Sequence, residues 1–166
     1  MTQSAEPTTI WLTEQTANRL RAELEELEGP RRAEVIAQIS AARDEGDLKE
    51  NGGYHAAKDE QGTNEARIRQ LEDMLASVTT EPATDDGKVS PGKVVTHRFD
   101  GDDEETFLLA ARDVADDDGI GVNVFSPESP LGAALLGHSA GETVDFEQPN
   151  GRVAKIEIVS AVPFSG

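Results

Sequence analysis

A chain of 166 residues has room for one ordinary domain or two small ones. With 15 Lys and Arg against 33 Asp and Glu, its formal net charge of -18 argues against a free-standing nucleic-acid binder, which needs cationic clusters to displace counterions. The absence of cysteine excludes a disulfide framework and a thiolate zinc site.

The first ten residues lack a basic leader and an apolar run, and no stretch reaches transmembrane length, so a cytoplasmic protein without membrane contact is expected. Aromatic residues are only 4% of the chain and hydrophobic residues 36%, while 29% are charged. That balance suits a slender two-stranded helical element, with much surface and a narrow seam, joined to a small domain.

Residues 1–10 are polar and proline-interrupted and are expected to be mobile. The first helix follows Trp11 and Leu12, with Thr13 as its N-cap. Leu20, Leu24 and Leu27 form one apolar stripe, and Val35, Ile36, Ile39 and Ala42 form the next. Leu27 to Val35 is eight residues where seven would keep phase, and Gly29-Pro30 lies between them, so a break or kink is expected there. Gly46 to Gly52 then interrupts the helical pattern. The return arm reads Tyr54, Ala57, Gln61, Asn64, Ile68, Leu71 and Leu75, a heptad seam without a slip. Residues 11–78 are therefore expected to form an antiparallel coiled-coil hairpin with its tip at 46–52. The large apolar residues gather at the base, leaving a thin, polar seam near the tip. At roughly 1.5 Å per residue, an arm from Thr13 to Gly46 is about 50 Å long.

Residues 79–91 carry turn chemistry without apolar periodicity and are expected to be a linker. From 92 to 166 the period changes to two. Five strands are expected over 93–99, 106–112, 121–125, 142–147 and 152–162. Turns are expected at Asp100-Gly101, at Asp116 to Gly119 and at Pro149-Asn150-Gly151. A short helix is expected to start at Pro130 and stop at Gly137. This is a small antiparallel α+β domain.

The chemistry concentrates at the tip, where Asp47 and Glu50 lie three residues apart. Mg²⁺ wants six oxygen ligands, and one exposed pair supplies two or three at most. The pair makes better sense as half of a site completed by another protein, where a metal activates water in phosphodiester cleavage. An ordinary exposed turn also places Asp and Glu beside Gly and Asn, and Glu50 also suits the N-terminus of the return helix. Arg43, Lys49 and Lys58 bring positive charge near the tip, either for an RNA phosphate or as helix-surface ion pairs. Tyr54 lies on the seam, where packing is expected. His55 has no second histidine at ligand spacing, which disfavours zinc.

The run Gly46-Asp47-Leu48-Lys49-Glu50-Asn51, then Tyr54-His55-Ala56-Ala57-Lys58 and Gln61-Gly62, resembles the tip of the GreA-type bacterial transcript cleavage factors. The stretch Ser126-Pro127-Glu128-Ser129-Pro130-Leu131-Gly132 through Gly141-Glu142 resembles a second region of the same family. The resemblance runs from Trp11 to Pro163 and, with Gly52-Gly53, is nearest the actinobacterial branch. It implies an N-terminal antiparallel coiled coil and a C-terminal domain of FK506-binding-protein-like fold. It further implies that the C-terminal domain docks on RNA polymerase at the rim of the secondary channel, with Ser129 and Pro130 in the docking region. By the same resemblance, Asp47 and Glu50 help hold the second Mg²⁺ of the polymerase, and the 3′ end of a backtracked transcript is hydrolysed. Arg43 and Lys58 match residues that contact the extruded RNA. The chain would then be a monomeric accessory factor with no turnover of its own, meeting nascent RNA and DNA only within the elongation complex. Many relatives carry Ala-Glu where this chain has Gly52-Gly53, which removes a possible third tip acid and loosens the start of the return helix.

One alternative is a secondary-channel inhibitor of polymerase with the same architecture, against which the retained acidic pair argues. A peptidyl-prolyl isomerase needs an aromatic-lined pocket, whereas Phe99, Phe107, Phe125 and Phe146 sit at positions that read as core. A chaperone-like coiled coil is a third alternative that nothing in the sequence selects.

Overall fold

The computed structural model describes residues 9–46 and 50–165. The chain divides into two compact units: residues up to Thr16 with Val78 onward, and Ala17–Ser77.

The helical unit is a hairpin. Helix α1 (Glu14–Glu26) passes through a five-residue π-helical segment, Leu27–Arg31, into α2 (Arg32–Asp44), and α3 (Gly52–Ala76) returns. The break or kink expected at Gly29-Pro30 takes the form of this π-helical segment, an interruption of the α-helix without a break in the chain. Its wider turn absorbs the one surplus residue between the two apolar stripes. Val35, Ile39 and Ala42 thereby regain the buried face, while Ile36 is left exposed. The cost is a disturbed hydrogen-bond ladder around Pro30. Asn64, a buried polar residue in the seam of α3, donates its side-chain N–H to the Leu27 carbonyl at 3.2 Å. The seam near the tip is less polar than expected: Val35, Ile39 and Ala57 form a buried cluster with Tyr54 packed against it. Ile68 and Leu71 are buried lower down, and Leu24, Leu27 and Leu75 are half-buried. Ion pairs flank the seam. Arg32 grips Glu65 through two bonds of 2.8 and 2.9 Å, Arg67 grips Glu23 through two of 2.8 and 3.0 Å, and Arg31 meets Glu60.

In the second unit, β1 (Ile10–Trp11) pairs in parallel with β2 (Val78–Thr79). Thr13 caps α1 as expected, its Oγ accepting from the Thr16 N–H at 3.0 Å, and the Thr13 hydroxyl donates to Asp117 at 2.8 Å. Thr16 bonds the same carboxylate, so Asp117, expected in an open turn, is instead buried. Residues 1–8 lie outside the described residues. Residues 79–91, expected to be a linker, are stitched into this unit. Val89 is buried, its N–H donates to the His138 carbonyl at 2.8 Å, and Lys88 bridges Ser139.

The main sheet is β3 (Lys93–Phe99), β4 (Glu104–Leu109), β5 (Asn123–Phe125), β6 (Thr143–Glu147) and β7 (Val153–Pro163), in the order β5-β4-β3-β7-β6. The α+β architecture expected is observed, with one correction: β5 pairs in parallel with β4. A 3₁₀ segment, Arg112–Asp116, carries the chain across between those two strands, so β5 enters in the same direction. β4 also starts and ends earlier than expected, because the tight Phe99–Asp102 turn shortens the connection after β3. The Asn150-Gly151 turn joins β6 to β7 as the sequence predicts. On β7, Ala154, Ile156 and Ile158 are buried while Lys155 and Glu157 face solvent. Val89, Val95, Phe107, Leu109, Leu135, Ile156, Ile158 and Ala161 make the core. The short helix α4 (Pro130–Leu135) packs its Leu135 into it.

Candidate functional site

Helix α2 ends after Ala42-Arg43-Asp44 because glycine arrives. Gly46 has φ +120, and its N–H and that of Glu45 turn back to the carbonyls of Arg43 and Ala42 at 3.4 and 3.2 Å. Helix α3 begins because Asn51 is a good N-cap: its Oδ1 accepts from the Tyr54 N–H at 3.0 Å. The same side chain donates Nδ2–H to the Ala42 carbonyl at 2.5 Å. One amide therefore satisfies an orphan donor of α3 and an acceptor at the end of α2, and clamps both roots of the tip loop. The signal for this was in the sequence, an Asn directly before a helical run, and sequence reasoning missed it. Gly52 and Gly53 are both within α3, and neither requires a positive φ.

Glu50 stands on this clamped loop and is exposed. Asp47, the other predicted acid, and Lys49 lie outside the described residues. Arg43 and Lys58 come together on one groove of the hairpin, lined also by Ile36, Ile39, Ser40 and Gln61. Both are exposed at their helix surfaces, and the Lys58 ammonium donates to Gln61 Oε1 at 3.0 Å. Tyr54 packs into the seam cluster and meets the His55 ring edge-on at 5.6 Å. Among the described residues, no group of three or more His, Cys, Asp or Glu is placed to hold a metal ion.

Ser129 and Pro130 open α4. Ser129 Oγ accepts from the Gly132 N–H at 3.1 Å and donates to the Ser126 carbonyl at 2.6 Å, while its N–H also donates to that carbonyl at 3.0 Å. Gly132 makes this turn possible: a Cβ there would sit 2.2 Å from the Ser126 oxygen. Pro130 is exposed at the first helical position. The site residues thus form two separate groups, one on each unit.

The phenylalanines need a correction. Phe107 is core, but Phe99 and Phe125 are only half-buried and line a hollow together with His97 and Leu131. They sit where β3 and β5 leave the core beside α4, which strand alternation alone does not reveal.

Comparison with known proteins covers both units of the chain. Residues 10–79 match the family model for the N-terminal part of transcription elongation factors, and residues 83–162 match that for the C-terminal part of GreA/GreB elongation factors. Transcription elongation factor GreA of Streptomyces coelicolor is 52% identical over all of both chains. Its counterpart in Mycobacterium tuberculosis is 46% identical, with 93% of this chain and 94% of that protein covered. Among solved structures, GreA factor homolog 1 of Thermus thermophilus is 26% identical over 93% of this chain and 99% of its own, with a TM-score of 0.42. The chain belongs to the GreA/GreB family of transcription elongation factors.

Proposed function

We propose that this chain is an accessory factor of RNA polymerase that stimulates hydrolysis of the 3′ end of backtracked nascent RNA at the polymerase secondary channel. It docks through the C-terminal unit around Ser129 and Pro130 and presents Asp47 and Glu50 to the polymerase active centre. The observation that carries this reading is at the tip: an exposed Glu50 beside Asn51, which clamps both flanks of the loop, on a hairpin whose Arg43 and Lys58 share a groove. Relatives named as GreA elongation factors, alike over nearly the whole chain, support it.

The donor set suits a shared Mg²⁺ ion. Two carboxylates supply two or three of six oxygens, which is too few for a tight site of this chain's own. Asp47 and Glu50 would complete the coordination of an ion that the polymerase also holds, and such an ion supplies charge stabilisation and an acidified water. Either carboxylate would position the attacking water or take its proton. Arg43 and Lys58 hold phosphates of the extruded RNA. The polymerase performs the hydrolysis, and the chain meets RNA and DNA only within the elongation complex. A net charge of -18 is compatible with that task, because docking on polymerase replaces intrinsic nucleic-acid affinity.

The test is transcript cleavage in a halted, backtracked elongation complex with Mg²⁺, comparing wild type with Asp47→Ala. Wild type is expected to release the 3′ fragment and restore elongation, and the variant to do neither while still binding polymerase. Wild type that binds polymerase yet suppresses both cleavage and elongation would make the chain an inhibitor and overturn the reading.

A further inference from the structure

The sheet unit carries a feature that the cleavage reading leaves unused. Beside the start of α4 a hollow is lined by His97, Phe99, Glu105, Asn123, Phe125 and Leu131. Its walls are aromatic: His97 meets Phe99 edge-on at 5.1 Å and Phe107 at 5.4 Å, and Phe107 meets Phe125 at 5.2 Å. His97 is only 2% exposed. Its Nδ1 lies 3.1 Å from the Glu105 carbonyl. A carbonyl only accepts, so Nδ1 carries the hydrogen and Nε2 of the neutral ring presents a lone pair. Burial pushes the His97 pKa below its ordinary value, outweighing the opposite pull of Glu105, so the neutral ring is the favoured form. Nε2 is buried, with no hydrogen-bond partner among the described residues. The Glu105 carboxylate, largely exposed at the rim, has Oε2 3.9 Å from Nε2.

Two acceptors side by side against aromatic rings, in a chain of net charge -18, define the visitor. A prolyl group offers no donor. An aliphatic group fits the rings and leaves Nε2 unsatisfied, and an anion meets Glu105. A guanidinium is planar, weakly hydrated, rich in N–H donors, matched to a carboxylate and able to stack on a ring. We propose that this hollow receives an arginine side chain of a polypeptide partner, its guanidinium donating to His97 Nε2 and to the Glu105 carboxylate and lying against Phe99 or Phe125. Glu105 covers Nε2 from the rim and turns outward to admit the guest.

The proposal rests on the docking reading only for who the partner is. α4, which begins at Ser129-Pro130, contributes Leu131 to the same hollow, so a polymerase segment docked there would supply the arginine.

The first test is nuclear magnetic resonance of the full chain titrated with N-acetyl-arginine methylamide, its neutral citrulline isostere and the norleucine analogue. The arginine probe is expected to shift the His97 Nε2 resonance, and the citrulline probe to need about tenfold more. The norleucine probe should leave Nε2 unmoved. Glu105→Gln, at an exposed position that leaves the fold intact, should weaken the arginine probe by about tenfold. An arginine probe that leaves Nε2 unmoved, a norleucine probe that matches it, or a Glu105→Gln variant that binds as wild type does would each overturn the proposal. A second arm measures binding to core polymerase. Wild type that fails to bind overturns the docking reading, while the probes still decide the hollow. If wild type binds and Glu105→Gln binds equally, polymerase is not the source of the arginine.

Discussion

The hairpin and the sheet unit are held together in different ways, and the difference decides where each tolerates change. The sheet unit encloses a continuous core from Val89 to Ala161, and even the Ser129 turn, proposed for docking, is woven into structure: Ser129 caps α4 and bonds Ser126. The hairpin has a narrow seam flanked by ion pairs, and Arg43, Glu50 and Lys58 are exposed outside it. The exposed Glu50, Arg43 and Lys58 can therefore be lost with little cost to folding, whereas Ser129 cannot.

The sharpest break of this comparison is at the tip. Asp47→Ala or Glu50→Ala is expected to lower stimulated cleavage by about 10²-fold or more, with melting temperature and polymerase binding unchanged. Loss of binding along with cleavage would show that the tip also docks.

Within the seam the opposite is expected. Leu71 is fully buried, so Leu71→Ala should cost about 2–4 kcal/mol in denaturant unfolding. An unchanged midpoint would mean the hairpin is not held by its seam. In the sheet unit, Gly132→Ala forces a Cβ onto the Ser126 carbonyl and should cost roughly 1–3 kcal/mol while weakening polymerase binding.

Asn51→Ala falls between the two classes. It removes both clamps of the tip loop and should cost about 1–2 kcal/mol. Hydrogen exchange should rise at 43–55, and cleavage should fall with binding retained.

The smallest effects are in pH. The Glu23 carboxyl is held below its ordinary pKa by its hydrogen bonds to Arg67, and Glu65 likewise by Arg32. Their contribution is present above the unfolded carboxylate pKa, about 4.3, and is lost as pH falls through the folded values. His97, lowered by burial, adds stability that is present above about 6.5 and lost as pH falls through its folded value. Acid titration followed by thermal unfolding should therefore weaken the sheet unit first and the hairpin later. Coincident losses would show that His97 titrates alike in the folded and unfolded chains.

The sequence alone determined the elements that local rules control. Heptad spacing placed Ala57, Ile68 and Leu71 in a seam, period-two alternation placed Ile156 and Ile158 inward, and Ser-Pro and Asn-Gly signals placed α4 and the β6–β7 turn. These depend on neighbours a few residues apart, so they are visible in one dimension. The tip motif was legible for the same reason, being contiguous. What depends on distant partners was not. The eight-residue step at Gly29-Pro30 is taken up by a π turn, at whose start the Leu27 carbonyl accepts from Asn64 of α3. Asp117 was buried by two threonines about a hundred positions away, and 79–91 was tied down by the turn at 137–140 that follows α4. The parallel β4–β5 edge and the hollow around His97 exist only once three strands and a helix meet. Local spacing dictates which face a side chain takes, and only packing against chain far away in sequence decides what that face meets.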